Sequence, residues 1–497
     1  MKQTKYLSPK VTSIRPAQTE ALALLAEFTM GNARVAMLEA PTGVGKSLVA
    51  MLAAEQMKSQ FTVINTATIS LQEQYAGDYP AIAVLKGKNN FRCTFAPDLS
   101  PAEAPCTLEE GTRCASEYYE QEDAYALADV VVTNYALYLA ELLYGRRWID
   151  RRPQLLVCDE GHKLLDFMTE AEAVYLDVEL ANQLGFKCKP MFKLGEARYW
   201  AQQSIKDIEQ VTHAHIYARS PKAGRFARLL RQAEGLAGSI GELIPTATGG
   251  TFKAVPLWPR DSAAGLLASA KKLLIMSATL WGGDFYAKLM GIPSYLYVGL
   301  GPQFDSDRWP VYYRPVAKMN NKSTNADWTA MSTACHEIMH STEEKGVIHV
   351  ASYKQVSQIE REIKRCASCR ERLVSPRLDE SRGETIGRYR DSAGHWLCHP
   401  SVGEGESLDD DLCRYQIIAK LRYPDLGDPV VKLRAADKGI GGSYYFNSTA
   451  AYTAQTIGRG MRHAEDYCEN FIFDGSFAGL YDRNRRAFPE WFQKQLR

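Results

Sequence analysis

The sequence predicts an α/β protein in which mostly parallel sheets form two successive lobes. Three observations predict it. Short apolar runs at 34–38, 61–65, 130–133, 155–158 and 272–276 alternate with helical stretches, as in an open parallel sheet. A glycine-rich turn, Glu39-Ala40-Pro41-Thr42-Gly43-Val44-Gly45-Lys46-Ser47, lies between the first run and a helix. A second alternation begins near residue 300, with strands expected at 346–350, 396–399 and 415–419.

Taken in order, residues 14–30 read as a helix, because Ala17, Leu22, Leu25 and Phe28 recur on one side. After the glycine-rich turn, 48–57 reads as a helix and 61–65 as a strand. Thr68 is placed to cap the next helix. Residues 86–118 break the pattern with Lys, Pro, Gly and Cys and read as an inserted subdomain. Helical character returns at 120–127. The long amphipathic stretches within 163–255 read as a helical insertion, after which 272–276 re-enters the sheet. The expected domains are 1–299, carrying both insertions, and 300–497.

With 497 residues there is room for two or three domains. Apolar residues make up 45% and charged residues 24%, so each domain can build a core. The formal net charge of +1 rules out a reading based on overall basicity, although a local basic groove stays compatible with it. The polar N-terminal stretch has no apolar leader, and no run has the length and apolarity of a membrane span, so a cytoplasmic protein is expected. Eleven cysteines at irregular spacing suit buried thiols or metal ligands in a reducing compartment.

The glycine-rich turn is built for phosphate. Its backbone N–H groups and the following helix N-terminus cradle phosphate oxygens. Thr42, Gly43 and Gly45 shape the cradle, Lys46 reaches the β and γ phosphates, and Ser47 offers its hydroxyl to Mg²⁺. The alternative is a decayed loop without turnover. Asp159, after Leu155-Leu156-Val157-Cys158, is the expected acidic partner of Mg²⁺, and Glu160 is placed to polarise the attacking water. His162 either couples nucleotide state to other segments or is a structural histidine.

In the second half, Gln455-Thr456-Ile457-Gly458-Arg459-Gly460-Met461-Arg462 places Arg459 and Arg462 three apart, as if on one helix face. Two arginines there suit stabilisation of phosphate charge from a neighbouring lobe. The alternative is a surface charge pair. Ser401-Val402-Gly403-Glu404-Gly405, with Asp409 after it, reads as a turn that can sense nucleotide and strand together, or as an ordinary loop.

This ordered set resembles the superfamily two helicases of the XPD/DinG-like branch, over nearly the whole chain. The matching segments are Arg15-Pro16-Ala17-Gln18, Glu39 to Ser47, Asn65 to Gln74 and Thr133-Asn134-Tyr135-Ala136-Leu137. They continue with Asp159 to His162 (Gly161 standing where the family's box has Ala), Ser277-Ala278-Thr279-Leu280 and Ser352-Tyr353. Ser401 to Asp409, Tyr423 to Pro429 and Gln455 to Arg462 complete the set. The resemblance implies two RecA-like lobes and ATP with Mg²⁺, with Gln18 and Asp409 also at the nucleotide. It implies an ATP-dependent helicase or translocase that moves 5′ to 3′ on single-stranded DNA and separates strands. The alternative is a DNA-dependent ATPase that remodels protein–DNA or CRISPR-type guide complexes without processive unwinding. Implied partners are single-stranded or forked DNA and an accessory replication, repair or CRISPR protein. No membrane partner is expected. A monomer is the default, in a bacterial cell or encoded by a phage.

The insertion at 86–118 occupies the position of the family's [4Fe–4S] domain. It holds three cysteines, Cys93, Cys106 and Cys114, where four are usual. Asp98, Glu109, Glu110 or solvent stand as fourth ligand, and a zinc-bound or metal-free remnant is the alternative. Lys86, Lys88 and Arg92 beside Phe91 are candidates for a DNA backbone with a stacked base, against an ordinary basic loop. Cys366-Ala367-Ser368-Cys369 invites a zinc reading with His395 and Cys398 as partners, although one CxxC is a weak signal.

Overall fold

The computed structural model describes residues 11, 13–104, 114–145, 151–400, 402, 408, 410–461, 463 and 465–497. In the first lobe, β1 (Val35–Glu39), β2 (Thr62–Thr66), β3 (Ala83–Val84), β4 (Val130–Asn134) and β5 (Leu155–Asp159) come first. They are followed by β6 (Val174–Asp177), β7 (Leu243–Ala247) and β8 (Thr251–Pro256), then β9 (Lys272–Ser277) and β10 (Leu296–Gly299). Seven of these make one parallel sheet in the order β10-β1-β9-β5-β2-β4-β3.

Strands β1, β2 and β5 are buried along their whole length, which is why they read as continuous apolar runs. Alternate side chains serve opposite faces. Ala36, Leu38, Leu155 and Val157 join the core beneath the helix Lys46–Gln56, whereas Val35, Met37, Leu156 and Cys158 join the core on the other side. The strand order sets β1, β9 and β5 side by side, with Glu39 opposite Ser277 and Asp159 opposite Met276. The segments leaving these three strands therefore open at one edge of the sheet, where ligands bind in open α/β folds.

The second lobe contains β11 (Val311–Ala317), β12 (Gly346–His349), β13 (Leu373–Val374), β14 (Trp396–His399), β15 (Tyr415–Ile418) and β16 (Glu469–Asp474). They form a second parallel sheet, β11-β16-β15-β12-β14-β13. The two parallel sheets agree with two RecA-like lobes. Strands β11 and β16, not expected from the sequence, complete one side of this sheet.

Two expectations change in detail. The first helix is two, Pro16–Leu24 and Ala26–Met30, which meet at Leu25. The stretch 163–255, expected to be helical, also holds the antiparallel sheet β6-β8-β7, which packs with the hairpin of helices Leu194–Tyr217 and Ala223–Gly238. Every residue of β7 is half-buried and one is Pro245, so no clean alternation marks it in the sequence.

Candidate nucleotide cleft between the lobes

Leaving β1, the chain turns through Gly43 and Gly45, both in left-handed backbone with φ of 79° and 81°. Space is as restrictive as backbone at Gly45: a Cβ there would lie 2.6 Å from Gln18 Nε2. Gln18 braces the loop, donating from Nε2 to Val44 O at 2.9 Å and accepting from Arg15 N at 2.9 Å. Arg15 in turn donates to Gly43 O at 2.7 Å. The first helix thus holds the glycine-rich loop in shape, and both polar ends of Gln18 are used in doing so. Lys46 Nζ donates to Ala40 O and Pro41 O at 3.1 and 3.3 Å, and the Ser47 hydroxyl meets the Tyr79 phenol.

Asp159, at the end of β5, is buried and held from three sides. Tyr75 donates to Oδ2 at 3.0 Å, the Glu160 amide to Oδ1 at 3.0 Å, and Tyr135 to the Asp159 carbonyl at 2.7 Å. Burial, with the Glu160 charge beside it, pushes the Asp159 carboxyl up to about 6, and Lys46 pulls it down. Glu160 is non-glycine in left-handed backbone, φ 54°. That turn sets its carboxylate 3.3 Å from His162. Burial works to raise the Glu160 carboxyl, but His162, Lys46 and Arg459 together hold it well below the usual carboxylate range. Glycine at 161 has a local reason, because a Cβ would come within 2.4 Å of Ile275 Cγ2 on the neighbouring β9.

A chain of contacts leads from these acids to the second lobe. His162 Nδ1 and Ser277 Oγ share a hydrogen bond of 2.9 Å. Ser277 Oγ accepts from Thr279 N at 3.2 Å, and Thr279 Oγ1 accepts from Gln455 Nε2 at 2.7 Å. Nearby, Thr42 Oγ1 donates to Gly458 O at 2.5 Å and Trp491 Nε1 to Ala278 O at 3.1 Å.

Gln455 ends the helix Gly441–Ile457, and Arg459 sits on the 3₁₀ turn Gly458–Gly460. Arg459 therefore lies past the end of that helix, on a tighter turn than the spacing suggested. The Ile457 carbonyl is taken by Gln416 Nε2 at 3.1 Å and Trp309 Nε1 at 3.3 Å, and the chain tightens and then extends at Met461. The charge of Arg459, from the second lobe, adds to the lowering of the Glu160 carboxyl in the first. Arg462 and Asp409 lie outside the described residues, as does most of 401–409. Beside the loop lies a cavity of about 450 Å³, walled by Arg15, Ala17, Gly43 and Val44 and, across it, by Phe304 and His463.

Several residues here were not singled out for this role in the sequence. Glu39 accepts from the Leu280 amide and, at 2.5 Å, from Tyr297, tying β1 to β10 and to the segment after β9. Tyr75, Trp491 and Phe304 carry no local signal. Tyr135 did carry one, since it lies in the Thr133 to Leu137 segment.

Two family descriptions match the chain. One, a type III restriction enzyme res subunit, covers residues 12–187, and the other, a helicase C-terminal domain, covers 335–495. A solved XPD helicase superposes over 96% of this chain and 98% of its own, with a TM-score of 0.70 at 16% identity. The chain thus carries a helicase C-terminal domain on a fold that it shares with XPD helicases. A second XPD structure, from S. tokodaii, shares the fold over 97% of this chain and 99% of its own, with a TM-score of 0.62 at 15% identity. A probable ATP-dependent helicase of Methanocaldococcus jannaschii is 27% identical over 219 residues, 34% of this chain and 33% of that protein. The human regulator of telomere elongation helicase 1 is 31% identical over 147 residues, 25% of this chain and 12% of its own length. The chain thus spans a third or less of these curated relatives.

In this helicase-family chain the cysteine insertion is only partly described. Cys93 and Cys114 are buried together with Ala104, Tyr118 and Tyr119. Cys106, Glu109 and Glu110 lie outside the described residues. No set of three metal-ligating atoms forms in this insertion among the described residues. Phe91, expected as a stacking platform, packs edge-on against Tyr118 with ring centroids 5.8 Å apart. Lys88 lies over the same ring, and Lys86 pairs with Glu73 at 2.8 Å. No described helix is long and apolar enough to cross a membrane.

Proposed function

We propose that this chain hydrolyses ATP in the cleft between its lobes and uses the resulting lobe movement to travel 5′ to 3′ along single-stranded DNA, separating strands. The observation that carries the reading is that the lobe holding Lys46, Asp159 and Glu160 is hydrogen-bonded to the segment carrying Arg459 in the other, through Thr279 to Gln455 at 2.7 Å and Thr42 to Gly458 at 2.5 Å.

The loop amides bind the phosphates, and Lys46 exchanges the Ala40 and Pro41 carbonyls for phosphate oxygens. Ser47 and Asp159 supply hard oxygen ligands suited to Mg²⁺, and the sealed carboxylate of Asp159 beside Lys46 fits a cation there. The ion, when bound, neutralises charge on the β and γ phosphates. Glu160, kept ionised by His162, Lys46 and Arg459, orients the attacking water. Arg459 stabilises charge on the transferring phosphoryl group when the lobes close. The cavity beside Phe304 has a volume suited to the nucleoside. The path from Glu160 through His162, Ser277 and Thr279 to Gln455 passes the change to the second lobe.

Strand separation is tested with forked duplexes carrying a 5′ or a 3′ tail, with ATP consumption followed in parallel. ATP-dependent unwinding from the 5′ tail is expected. Unwinding from the 3′ tail alone would reverse the polarity. DNA-stimulated hydrolysis that strips a bound protein but leaves the duplex paired would replace helicase action by remodelling.

A further inference from the structure

We propose that His336, His340, Cys366 and Cys369 form a structural zinc site at the outer end of the second lobe. His336 and His340 are four residues apart on the helix Asn325–His340, so their rings leave one face on successive turns, with centroids 5.4 Å apart. Cys366 stands at the start of the helix Ala367–Arg372 and Cys369 within its first turn. The four residues can each turn one ligand atom into a group in which all atoms lie within 4.8 Å of one another.

The spacing suits a tetrahedral ion. Bonds of about 2.3 Å to sulfur and about 2.05 Å to nitrogen place sulfur and nitrogen roughly 3.6 Å apart around zinc. His340 Nδ1 lies 3.4 Å from Cys369 Sγ and 3.8 Å from Cys366 Sγ. His336 Nε2 is buried and makes no well-formed hydrogen bond among the described residues, an arrangement that a metal bond would resolve. Two thiolates with two imidazoles favour zinc over the hard cations Mg²⁺ and Ca²⁺.

The partners differ from those the sequence suggested. His395 is half-buried and pairs with Ala393 O, and Cys398 is buried within β14. Neither belongs to the group of four.

The fold gives the site a purpose. Cys369 packs into the same core cluster as Met331, Cys335 and Met339 of the histidine-bearing helix. The helix that Cys366 opens leads directly into β13, a strand of two residues at the sheet edge. An ion with four protein ligands and no open position would fasten this short edge to the helix, with no part in catalysis. The inference is independent of ATP hydrolysis.

The test is peptide-resolved alkylation of the full chain purified with zinc, before and after treatment with a strong chelator, alongside elemental analysis. Cys366 is half-exposed, so it reports directly on coordination. Protection of Cys366 and Cys369 that chelation abolishes, with release of about one zinc per chain from this site, is expected. His336→Ala/His340→Ala should lose that zinc and the chelator-dependent protection. Equal alkylation with and without chelator, or a Cys366–Cys369 disulfide in protein prepared without reductant, would overturn the proposal. The wild-type footprint decides even where the double variant folds poorly, and peptide mapping separates it from Cys93, Cys106 and Cys114.

Discussion

Glu160 and Asp159 are adjacent acids with different surroundings. The left-handed turn at Glu160 swings its carboxylate toward His162, while Asp159 stays sealed between Tyr75 and the Glu160 amide. On the proposed reading one acid meets a cation and the other a water. Glu160→Gln keeps the shape and removes the charge. Its turnover should fall at least about a hundredfold, with nucleotide binding retained in a fluorescent-analogue titration. Turnover close to wild type would take Glu160 out of this role. Glu39 has a different consequence. Burial raises its carboxyl to about 7, against the hydrogen bonds from Tyr297 and Leu280. Between its ordinary 4.5 and about 7, the folded chain keeps a proton that the unfolded chain releases. That stabilisation is full below 4.5 and is lost as pH rises through about 7. Melting temperatures should therefore decline more steeply over this window for wild type than for Glu39→Gln. Parallel curves would mean that Glu39 ionises as freely folded as unfolded.

Among elements, three strand ends do most to organise the cleft. β1, β9 and β5 lie side by side, and the contacts His162–Ser277 and Thr279–Gln455 bind their outgoing segments to one helix of the second lobe. Thr279→Val removes the Gln455 partner with little change in volume. It should preserve basal ATP hydrolysis and weaken its stimulation by single-stranded DNA; unchanged stimulation would show that coupling runs elsewhere. Strand by strand, the sheets were legible wherever burial on both faces wrote an apolar run, as in β1, β2 and β5. Legibility failed where tertiary contacts decide. The helix carrying Gln455 stops at Ile457 because Gln416 and Trp309 take its carbonyl, which periodicity alone does not record. Tyr75 reaches Asp159 across 84 positions of sequence. The CxxC was visible, but its histidines stand on an earlier helix, whereas the partners expected from the sequence were His395 and Cys398.

At the scale of the whole molecule, the lobes meet through more than the nucleotide cleft. Leu165, Trp281 and Leu289 of the first lobe pack with Tyr444 and Ala451 of the second. Arg434 donates to Leu257 O and Thr169 Oγ1, each at 2.7 Å. A motor that follows a phosphate backbone should bind single-stranded DNA with an affinity that falls linearly in log–log form with salt and depends little on base sequence. An affinity indifferent to salt would argue against a backbone-tracking groove. On the proposed reading, one ATPase site is built from both lobes. That reading is tested most directly by measuring ATP hydrolysis, with and without single-stranded DNA, for wild type, Lys46→Ala and Arg459→Ala. Each substitution should lower turnover at least about a hundredfold while much single-strand binding survives. Near-wild-type turnover in Lys46→Ala would contradict the phosphate site, and near-wild-type turnover in Arg459→Ala would contradict a site shared between lobes.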